Sequence, residues 1–243
     1  MEEQDLIIEA FEELSPRYEQ VVDSELNLFW GWRYATFIHT LLQSTPISAD
    51  DRILDIATGT GMIPKALLSG IELQQPLHGL DITYGMLRRA RENFSQDHPP
   101  ERLTLTCATA MSMPYRHGSF SLIFCGLATH HMDVPTLLAE MHRILADGGR
   151  IAVADVGSSP LWRIPGVRLL LRTGAFLFFL FRENFQRAWA EALAVSNIRT
   201  SEEWTALLKE AGFDSIAIEL LPSKYRWIPD PLVMHAQKTR REK

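Results

Sequence analysis

The segment LATHHMD, residues 127–133, places two adjacent histidines and an aspartate directly after an apolar run that predicts a buried strand. An imidazole has an ordinary pKa of about 6.5, so it can take a proton from a reacting group at neutral pH. Neighbours in an extended segment point to opposite sides, so one of His130 and His131 is expected to reach a given site. Asp133 is the nearby carboxylate that can orient an imidazole.

Three roles are open for His130 and His131: a catalytic base, a contact to a cofactor or to a covering segment, and structural filler. A metal site is the less favoured interpretation. Adjacent histidines rarely converge on one ion, and neither an H-x-x-x-H pattern nor a carboxylate cluster accompanies them in the sequence. No metal is therefore predicted.

The composition is that of an ordinary globular protein, with 243 residues, 46% of them hydrophobic and 22% charged. The formal net charge is −6, and acidic and basic residues are interspersed, which disfavours nucleic acid as a partner. One basic cluster stands out, at Lys238, Arg240, Arg241 and Lys243. Such a tail is expected to be a solvated terminus.

The chain is expected to work in the cytoplasm. Its two cysteines, Cys107 and Cys125, form no C-x-x-C pattern, which suits a reducing compartment and argues against structural zinc. The first residues are acidic and predict a helix, so no secretion signal is expected. The apolar segment Gly166–Phe181 contains Arg168 and Arg172 and is shorter than the roughly 20 apolar residues of a membrane span, so no stable membrane insertion is predicted.

From Arg52 onward, short apolar runs alternate with helical patterns, which predicts βαβ units in a parallel sheet. The predicted strands are Arg52–Ile56, Leu77–Leu80, Leu103–Thr106, Leu122–Phe124, Ile151–Asp155, Ile216–Leu221 and Leu232–Gln237. The predicted helices between them are Met62–Ser69, Tyr84–Ser95, Val134–Ala146, with Gly148-Gly149 as its C-cap, and Ser201–Ala211. The expected fold is α/β, a doubly wound, mostly parallel sheet of seven strands.

Two regions interrupt this alternation. Residues 1–45 predict an N-terminal helical cap, and residues 157–200 predict a helical lid inserted after the fifth strand. Both are expected above the carboxyl ends of the strands, where open α/β sheets bind ligands. With a core at 46–156 and a C-terminal helix and strand pair at 201–243, the chain is predicted to be one domain.

The strongest local signal is LDIATGTG, residues 54–61, where a strand enters a glycine-rich turn and then a helix. Glycines allow a tight turn and a close approach of a ligand to the backbone. A dinucleotide site of the G-x-G-x-x-G type would require a third glycine, and Pro64 stands there. About 20 residues after Gly61, the second strand ends at Asp81, whose carboxylate can accept both ribose hydroxyls of a nucleoside. Asp81 can also cap the helix that follows.

A third patch follows the third strand, ATAMSMP at residues 108–114. Its backbone and the Thr109 hydroxyl are placed to meet an adenine, with Met86 and Met111 packed on the faces of the base. Methionines at this spacing more often fill a core. The evidence is therefore the order of the three patches along the chain.

Together these residues resemble the class I S-adenosylmethionine-dependent methyltransferases, from about Phe11 to Gln237. The motifs that carry the resemblance are ILDIATGTG, LHGLDITYGML, ATAMSMPYRHGSFSLIF and EMHRILADGGRIAVADV. The segment FEELSPRYEQ and DIATGTG are most similar to the ubiquinone/menaquinone biosynthesis C-methyltransferases. The resemblance implies S-adenosyl-L-methionine as cofactor.

The resemblance also implies roles for residues. Thr58, Gly59 and Gly61 would line the methionine part of the cofactor, Thr109 and Ala110 would flank the adenine, Asp81 would hold the ribose, and Tyr18 would close over the sulfonium. The full cofactor-binding set is Tyr18, Asp55, Ala57, Thr58, Gly59, Gly61, Asp81, Ile82, Met86, Thr109, Ala110 and Met111. The quinone enzymes carry Arg-Asn after the fourth strand and an Asp or Asn at the position of Thr109. Because His130-His131 replaces the former pair, another apolar small molecule is the expected substrate.

The insertion LWRIPGVRLLLRTGAFLFFLFRENFQRAWAEALA is apolar on all sides and must be buried against something. Three partners are open: a hydrophobic pocket that it covers, a second copy in a homodimer, and a membrane surface. As a cover it would exclude water and accept a lipophilic substrate. Arg168 and Arg172 can hold an acidic substrate group or lie at the surface.

The sequence thus predicts methyl transfer to oxygen or carbon of a hydrophobic small-molecule metabolite, with His130, His131 and Asp133 as candidate catalytic residues. The alternative is a cyclase or other pericyclic-type catalyst of secondary metabolism that binds the cofactor without transferring methyl. A nicotinamide-dependent reductase is disfavoured by Pro64 and by the lack of a Tyr-x-x-x-Lys pair.

Overall fold

The computed structural model describes residues 3–239, except for the side chain of Glu3, and within this range seven strands form one sheet. The strands are β1 Ile53–Ile56, β2 Leu77–Asp81, β3 Leu103–Cys107, β4 Phe120–Gly126, β5 Leu145–Asp155, β6 Phe213–Leu220 and β7 Leu232–Lys238. Their spatial order is β3-β2-β1-β4-β5-β7-β6. The first five strands are parallel, and β7 is antiparallel to both β5 and β6. The predicted doubly wound, mostly parallel sheet is confirmed.

Helices cover both faces of this sheet and its carboxyl edge. In the described part of the chain they are α1 Glu3–Leu14, α2 Tyr18–Trp30, α3 Tyr34–Ser44, α4 Met62–Gly70, α5 Tyr84–Phe94, α6 Val134–Ile144, α7 Pro165–Arg182, α8 Phe185–Ala194 and α9 Ser201–Glu210. Connections from β1 lead to β2 on one side and from β4 to β5 on the other, so the winding direction reverses between β1 and β4. Ligands of open α/β sheets bind at such a reversal.

The core has two halves because successive strand residues point to opposite faces. In β1, Leu54 and Ile56 join the cluster under α6 and α9, whereas Ile53 joins the cluster under α3 and α4. All three are fully buried. Such near-continuous apolar strands are typical of parallel sheets that are covered on both faces.

One helix end differs from the prediction. Gly148-Gly149 does not cap α6, which ends at Ile144; both glycines lie inside the long strand β5. Phe120 pairs with Leu145, and the register then shifts before Leu122 pairs with Arg150, so the extra residues bulge out of the sheet. Gly148 supplies the positive φ of +74° that this irregular strand requires.

The N-terminal helices and the insertion meet above the carboxyl edge of the sheet. There α1 packs against α8, and α8 packs against α7. Within residues 3–239, none of the helices is long and apolar enough to cross a membrane. Of the basic tail, Arg240, Arg241 and Lys243 lie outside the described residues, and Lys238 Nζ donates to the backbone carbonyls of His142 and Leu145.

Candidate active site

The carboxyl edge of the sheet carries an unusual backbone. Ala57, just after β1, has a φ of +53°, and Leu127, just after β4, has a φ of +54°. Residues other than glycine rarely adopt this left-handed backbone conformation, because it costs on the order of 1–3 kcal/mol. Such residues are concentrated at functional sites. Gly59 and Gly61 follow with φ values of +54° and +84°. The turn after β1 is therefore held in a fixed, strained shape.

Three residues of the predicted set hold this turn from behind. Thr58 Oγ1 donates to Asp55 Oδ2 at 2.6 Å, and Thr58 N donates to the Leu80 carbonyl at 3.0 Å. A Cβ on Gly61 would lie 3.2 Å from the Cβ of Ala90, so glycine lets the turn pack against α5. Burial raises the pKa of Asp55 to about 8, and the Thr58 hydrogen bond offsets this only in part. None of Asp55, Thr58 and Gly61 lines the cavity in front of the turn.

Asp81 joins the glycine turn to the second strand. Its Oδ2 accepts a hydrogen bond from Gly59 N at 2.9 Å, and its Oδ1 accepts one from Thr83 N at 2.8 Å. Burial raises the pKa of Asp81, and the backbone donors oppose that shift. A carboxylate already held by two N–H groups is fixed in position and still has lone pairs for a ligand.

A first cavity of about 330 Å³, cavity 1, opens in front of Asp81 between the strand ends and α1. Nine residues of the predicted cofactor set line it: Tyr18, Ala57, Gly59, Asp81, Ile82, Met86, Thr109, Ala110 and Met111. A Cβ on Gly59 would lie 3.7 Å from the Tyr18 ring, so the absent side chain leaves backbone accessible beside that ring. Cavity 1 thus combines one buried carboxylate with apolar walls, which suits a nucleoside.

A second cavity of about 540 Å³, cavity 2, adjoins the first. Four residues line both cavities: Phe11, Tyr18, Leu127 and His131. The rest of the wall of cavity 2 comes largely from apolar residues of α2, α7 and α8, among them Phe29, Phe178 and Ala194. Burial raises the pKa of Tyr18 above its ordinary value, so this shared residue stays a neutral phenol.

His130 is held by a carboxylate that the sequence analysis did not consider. Its Nδ1 lies 2.6 Å from Asp155 Oδ1 at the end of β5, and Asp155 also accepts hydrogen bonds from Val156 N at 2.7 Å and from Thr129 Oγ1. Burial opposes the ionised carboxylate, but His130 and these donors lower the pKa of Asp155. Because an ionised carboxylate only accepts, Nδ1 of His130 carries the hydrogen and Nε2 is the basic atom.

The two histidines are tuned in opposite directions. Burial opposes the charged form of His130, but the charge and hydrogen bond of Asp155 outweigh it and raise the pKa of His130. Burial and the charge of His130 lower the pKa of His131, although its Nε2 lies 3.5 Å from Glu191 Oε1. His130 lines cavity 2 alone, whereas His131 lies in the wall shared by both cavities.

Asp133 does not orient either imidazole, which corrects the expectation from sequence. Its Oδ1 accepts a hydrogen bond from Thr136 N at 3.0 Å and caps the N-terminus of α6. It also lines cavity 1. The carboxylate behind the imidazole is Asp155, which comes from the neighbouring strand of the sheet.

A buried cluster of charges joins α8, in the insertion after β5, to the N-terminal helices. Arg187 on α8 is only 5% exposed, and its Nη2 lies 3.2 Å from Glu25 Oε2 and 3.0 Å from Glu191 Oε1. The guanidinium carbon lies 4.9 Å from the centroid of the Phe11 ring and 5.4 Å from that of Phe179. Burial raises the pKa of Glu25 to about 7, whereas Arg187 and His131 hold the pKa of Glu191 far below its ordinary value despite burial.

One atom each from His130, His131 and Glu191 lies within 4.8 Å of the others, a spacing that a metal ion can use. Glu191 already pairs with Arg187, however, and His130 pairs with Asp155. A metal ion would add charge beside a buried guanidinium. The interpretation without a metal therefore stays our prediction.

Sequence reasoning missed four functional candidates, and one of them had a readable signal. Asp155 ends a predicted strand, as Asp81 nearly does, and parallel strands end at the same edge of a sheet. The sequence could therefore have indicated Asp155 as a second carboxylate at that edge. Arg187 and Glu191 lie four residues apart on α8, a spacing at which helix side chains meet, whereas Glu25 lies on α2, far from them in the sequence. Nothing local in the sequence indicates that Glu25 joins the other two.

The glycine turn, Asp81 and the His130-His131 segment all fall within one family match. The model of the methyltransferase domain matches residues 53–149, from β1 into β5. The chain is a class I S-adenosylmethionine-dependent methyltransferase. The predicted family and cofactor are thereby confirmed.

Proteins similar to this methyltransferase are named for different methyl acceptors. The demethylmenaquinone methyltransferase of Lactiplantibacillus plantarum is 22% identical over 214 residues, which cover 85% of this chain and 86% of the relative. The malonyl-[acyl-carrier protein] O-methyltransferase of Halorhodospira halophila is 32% identical over 116 residues, 47% of this chain and 38% of the relative. Phosphoethanolamine N-methyltransferase 2 of Haemonchus contortus, solved with S-adenosyl-L-methionine, matches with a TM-score of 0.66 at 17% identity, over 95% of this chain and 60% of that one. The structural likeness shows the fold.

The charge cluster of the methyltransferase gives a stability prediction. Arg187→Met leaves the Glu25 and Glu191 carboxylates buried without their cation, so we expect a loss of about 3–5 kcal/mol in the free energy of unfolding. Chemical denaturation at neutral pH measures it. Arg168→Met, at an exposed position on α7, is the matched control and should stay within about 0.5 kcal/mol of the wild type. A loss of less than about 1 kcal/mol for Arg187→Met would show that the cluster does not stabilise the packing of α8 against α2.

Proposed function

We propose that this methyltransferase transfers the methyl group to an oxygen or carbon of a hydrophobic small molecule. The observation that carries the proposal is the shared wall of Phe11, Tyr18, Leu127 and His131, which brings cavity 1 and cavity 2 into direct contact. Methyl transfer is an in-line displacement, so most of the catalysis is alignment of two bound molecules. Two adjoining cavities with one common wall are suited to that alignment.

In this proposal cavity 1 holds the cofactor. Asp81 accepts the ribose hydroxyls, Thr109 and Ala110 flank the adenine, and Ala57 and Gly59 border the methionine part. The fixed carboxylate of Asp81 and the exposed backbone at Gly59 support this placement. When bound, S-adenosylmethionine supplies an electrophilic methyl group, and Tyr18 of the shared wall is the residue that would border it.

Cavity 2 holds the acceptor molecule. Its walls of leucine, phenylalanine and valine favour an apolar body, since burying such surface stabilises a complex by roughly 25 cal/mol per Å². The relatives' names support this class in two ways. One names demethylmenaquinone, and the other names transfer to oxygen. Both free cysteines are consistent with action in a reducing cytoplasm.

His130 is the base in this mechanism. Its Nδ1 is occupied by Asp155, so Nε2 is left to take the proton from a hydroxyl or an activated carbon of the acceptor. The raised pKa makes Nε2 a better proton acceptor than an ordinary imidazole. His131, whose pKa is lowered, stays neutral in the shared wall and helps to exclude water.

The assay for the whole proposal uses the purified chain, labelled S-adenosylmethionine and a metabolite extract separated into organic and aqueous fractions. We expect label to enter a product in the organic fraction, with the mass of one added methyl group. Label transfer confined to the aqueous fraction would contradict the apolar acceptor. Conversion of a substrate by the S-adenosylhomocysteine complex, without added methyl, would favour the pericyclic alternative instead.

Asp81→Ala tests the cofactor placement. Removing the charged acceptor of the ribose hydroxyls should weaken binding of S-adenosylhomocysteine by about 1.5–3 kcal/mol, measured by calorimetry. Asp50→Ala, at an exposed acidic residue, is the control and should bind as the wild type does. Equal affinities for the two variants would remove Asp81 from the ribose site.

Asp155→Asn tests the base through the pH dependence of turnover. His130 acts as a base in its neutral form, so turnover falls as the pH falls through its raised pKa. Without the Asp155 charge that pKa drops, and the acid limb of the kcat/KM profile should move to lower pH while kcat falls by about 10²-fold. Asp133→Asn keeps a capping side chain on α6 and should leave the limb in place. A limb that moves with Asp133 and not with Asp155 would reverse the assignment.

A further inference from the structure

The outer surface of α7 is apolar to a degree that a solvated helix does not need. Of its residues Pro165–Arg182, only Phe179 is buried. Together with its flanking residues, this surface exposes large apolar side chains: Leu161, Ile164, Leu169, Leu170, Leu177, Leu180, Phe181, Phe185 and Trp189. We call this set the α7 face. Exposed apolar patches of this kind mark surfaces that meet another apolar phase.

The apolar residues of the helix itself fall on one side. At 100° per residue, Leu169, Leu170, Leu177, Leu180 and Phe181 lie within an arc of about 120°. Leu170 is 75% exposed and Phe181 is 84% exposed. All five side chains of this arc are exposed.

The α7 face continues into the substrate cavity. Leu170, Gly174 and Phe178 of α7 line cavity 2, and so does Trp227, which is 78% exposed. Leu170 is therefore both part of the outer face and part of the cavity wall. The mouth of cavity 2 is therefore continuous with the α7 face.

Charge separates the candidate occupants. The whole chain has a formal net charge of −6, yet α7 contains Arg168, Arg172 and Arg182 and no acidic residue. At 100° per residue, the three arginines lie on the side of the helix opposite the apolar arc. A second copy of this helix contributes no carboxylate to pair with them. Lipid phosphates complement them, and helices with arginines beside leucine and phenylalanine lie in the interface plane of a bilayer.

We propose that the α7 face docks on the surface of an anionic lipid bilayer, with the mouth of cavity 2 turned toward the acyl chains. The helix lies on the membrane and does not cross it, in agreement with its length and arginine content. Docking would let an apolar acceptor pass from the lipid into cavity 2 without entering water. The surface itself is independent of which atom is methylated.

Cosedimentation with vesicles tests the docking. The intact protein is mixed with phosphatidylcholine vesicles, with or without phosphatidylglycerol, and the bound fraction is measured against lipid concentration. We expect binding to the vesicles that contain phosphatidylglycerol and weaker binding at high salt. Leu169→Glu/Phe181→Glu, which alters exposed residues outside cavity 2, should weaken binding about tenfold or more.

The control is Tyr84→Glu/Leu220→Glu, which places the same charges at exposed residues of α5 and β6 and should bind as the wild type does. Unchanged affinity for S-adenosylhomocysteine shows that both variants fold, and it separates this test from that of methyl transfer. Absence of vesicle binding, or equal binding by the two double variants, overturns the proposal. So does a wild-type dimer that Leu169→Glu/Phe181→Glu converts to a monomer in light scattering, since the α7 face would then belong to a second copy.

Discussion

The packing of the helices around cavity 2 depends on one buried cation, the guanidinium of Arg187. Arg187 lies on α8, its carboxylate partner Glu25 lies on α2, and the ring beside it, Phe11, lies on α1. These three helices enclose cavity 2, and two of them also reach the wall shared with cavity 1. A desolvated guanidinium is stable only while its partners stay in place. The insertion and the N-terminal helices are therefore held together at this point, and the size of cavity 2 follows from that arrangement.

The same cluster contributes to the opposite pKa shifts of the two adjacent histidines. Glu191 pairs with Arg187 and lies beside His131, so most of its charge is already compensated. Among residues 3–239, the ion pair of Asp155 is with His130, so its charge acts on that imidazole. Two imidazoles that follow each other in sequence thus acquire pKa shifts of opposite sign from long-range partners. A protonated neighbour also disfavours protonation of the other ring, which reinforces the difference.

The parts of the fold that local chemistry determines were predictable. The apolar strands, the glycine turn after β1 and the position of Asp81 follow from periodicity and from backbone geometry, and all are where the sequence indicates. The boundary of α6 was not, because a register shift against β4 extended β5 back to Leu145. Asp133 was misjudged because its carboxylate serves the backbone of the helix that follows: it accepts from Thr136 N and caps α6.

This difference also separates what the two cavities can be expected to bind. Cavity 1 is built mainly from turns that follow consecutive strands, so its chemistry is encoded in short motifs and is shared across a family. Cavity 2 is built from helices joined by Arg187 and by aromatic contacts such as that between Phe29 and Phe178, whose residues are far apart in the chain. A substitution in the insertion can change the shape of cavity 2 without touching the strand ends. Under the proposed function, specificity for the acceptor therefore depends on α2 and the insertion, whereas use of the cofactor depends on the strand ends of the sheet.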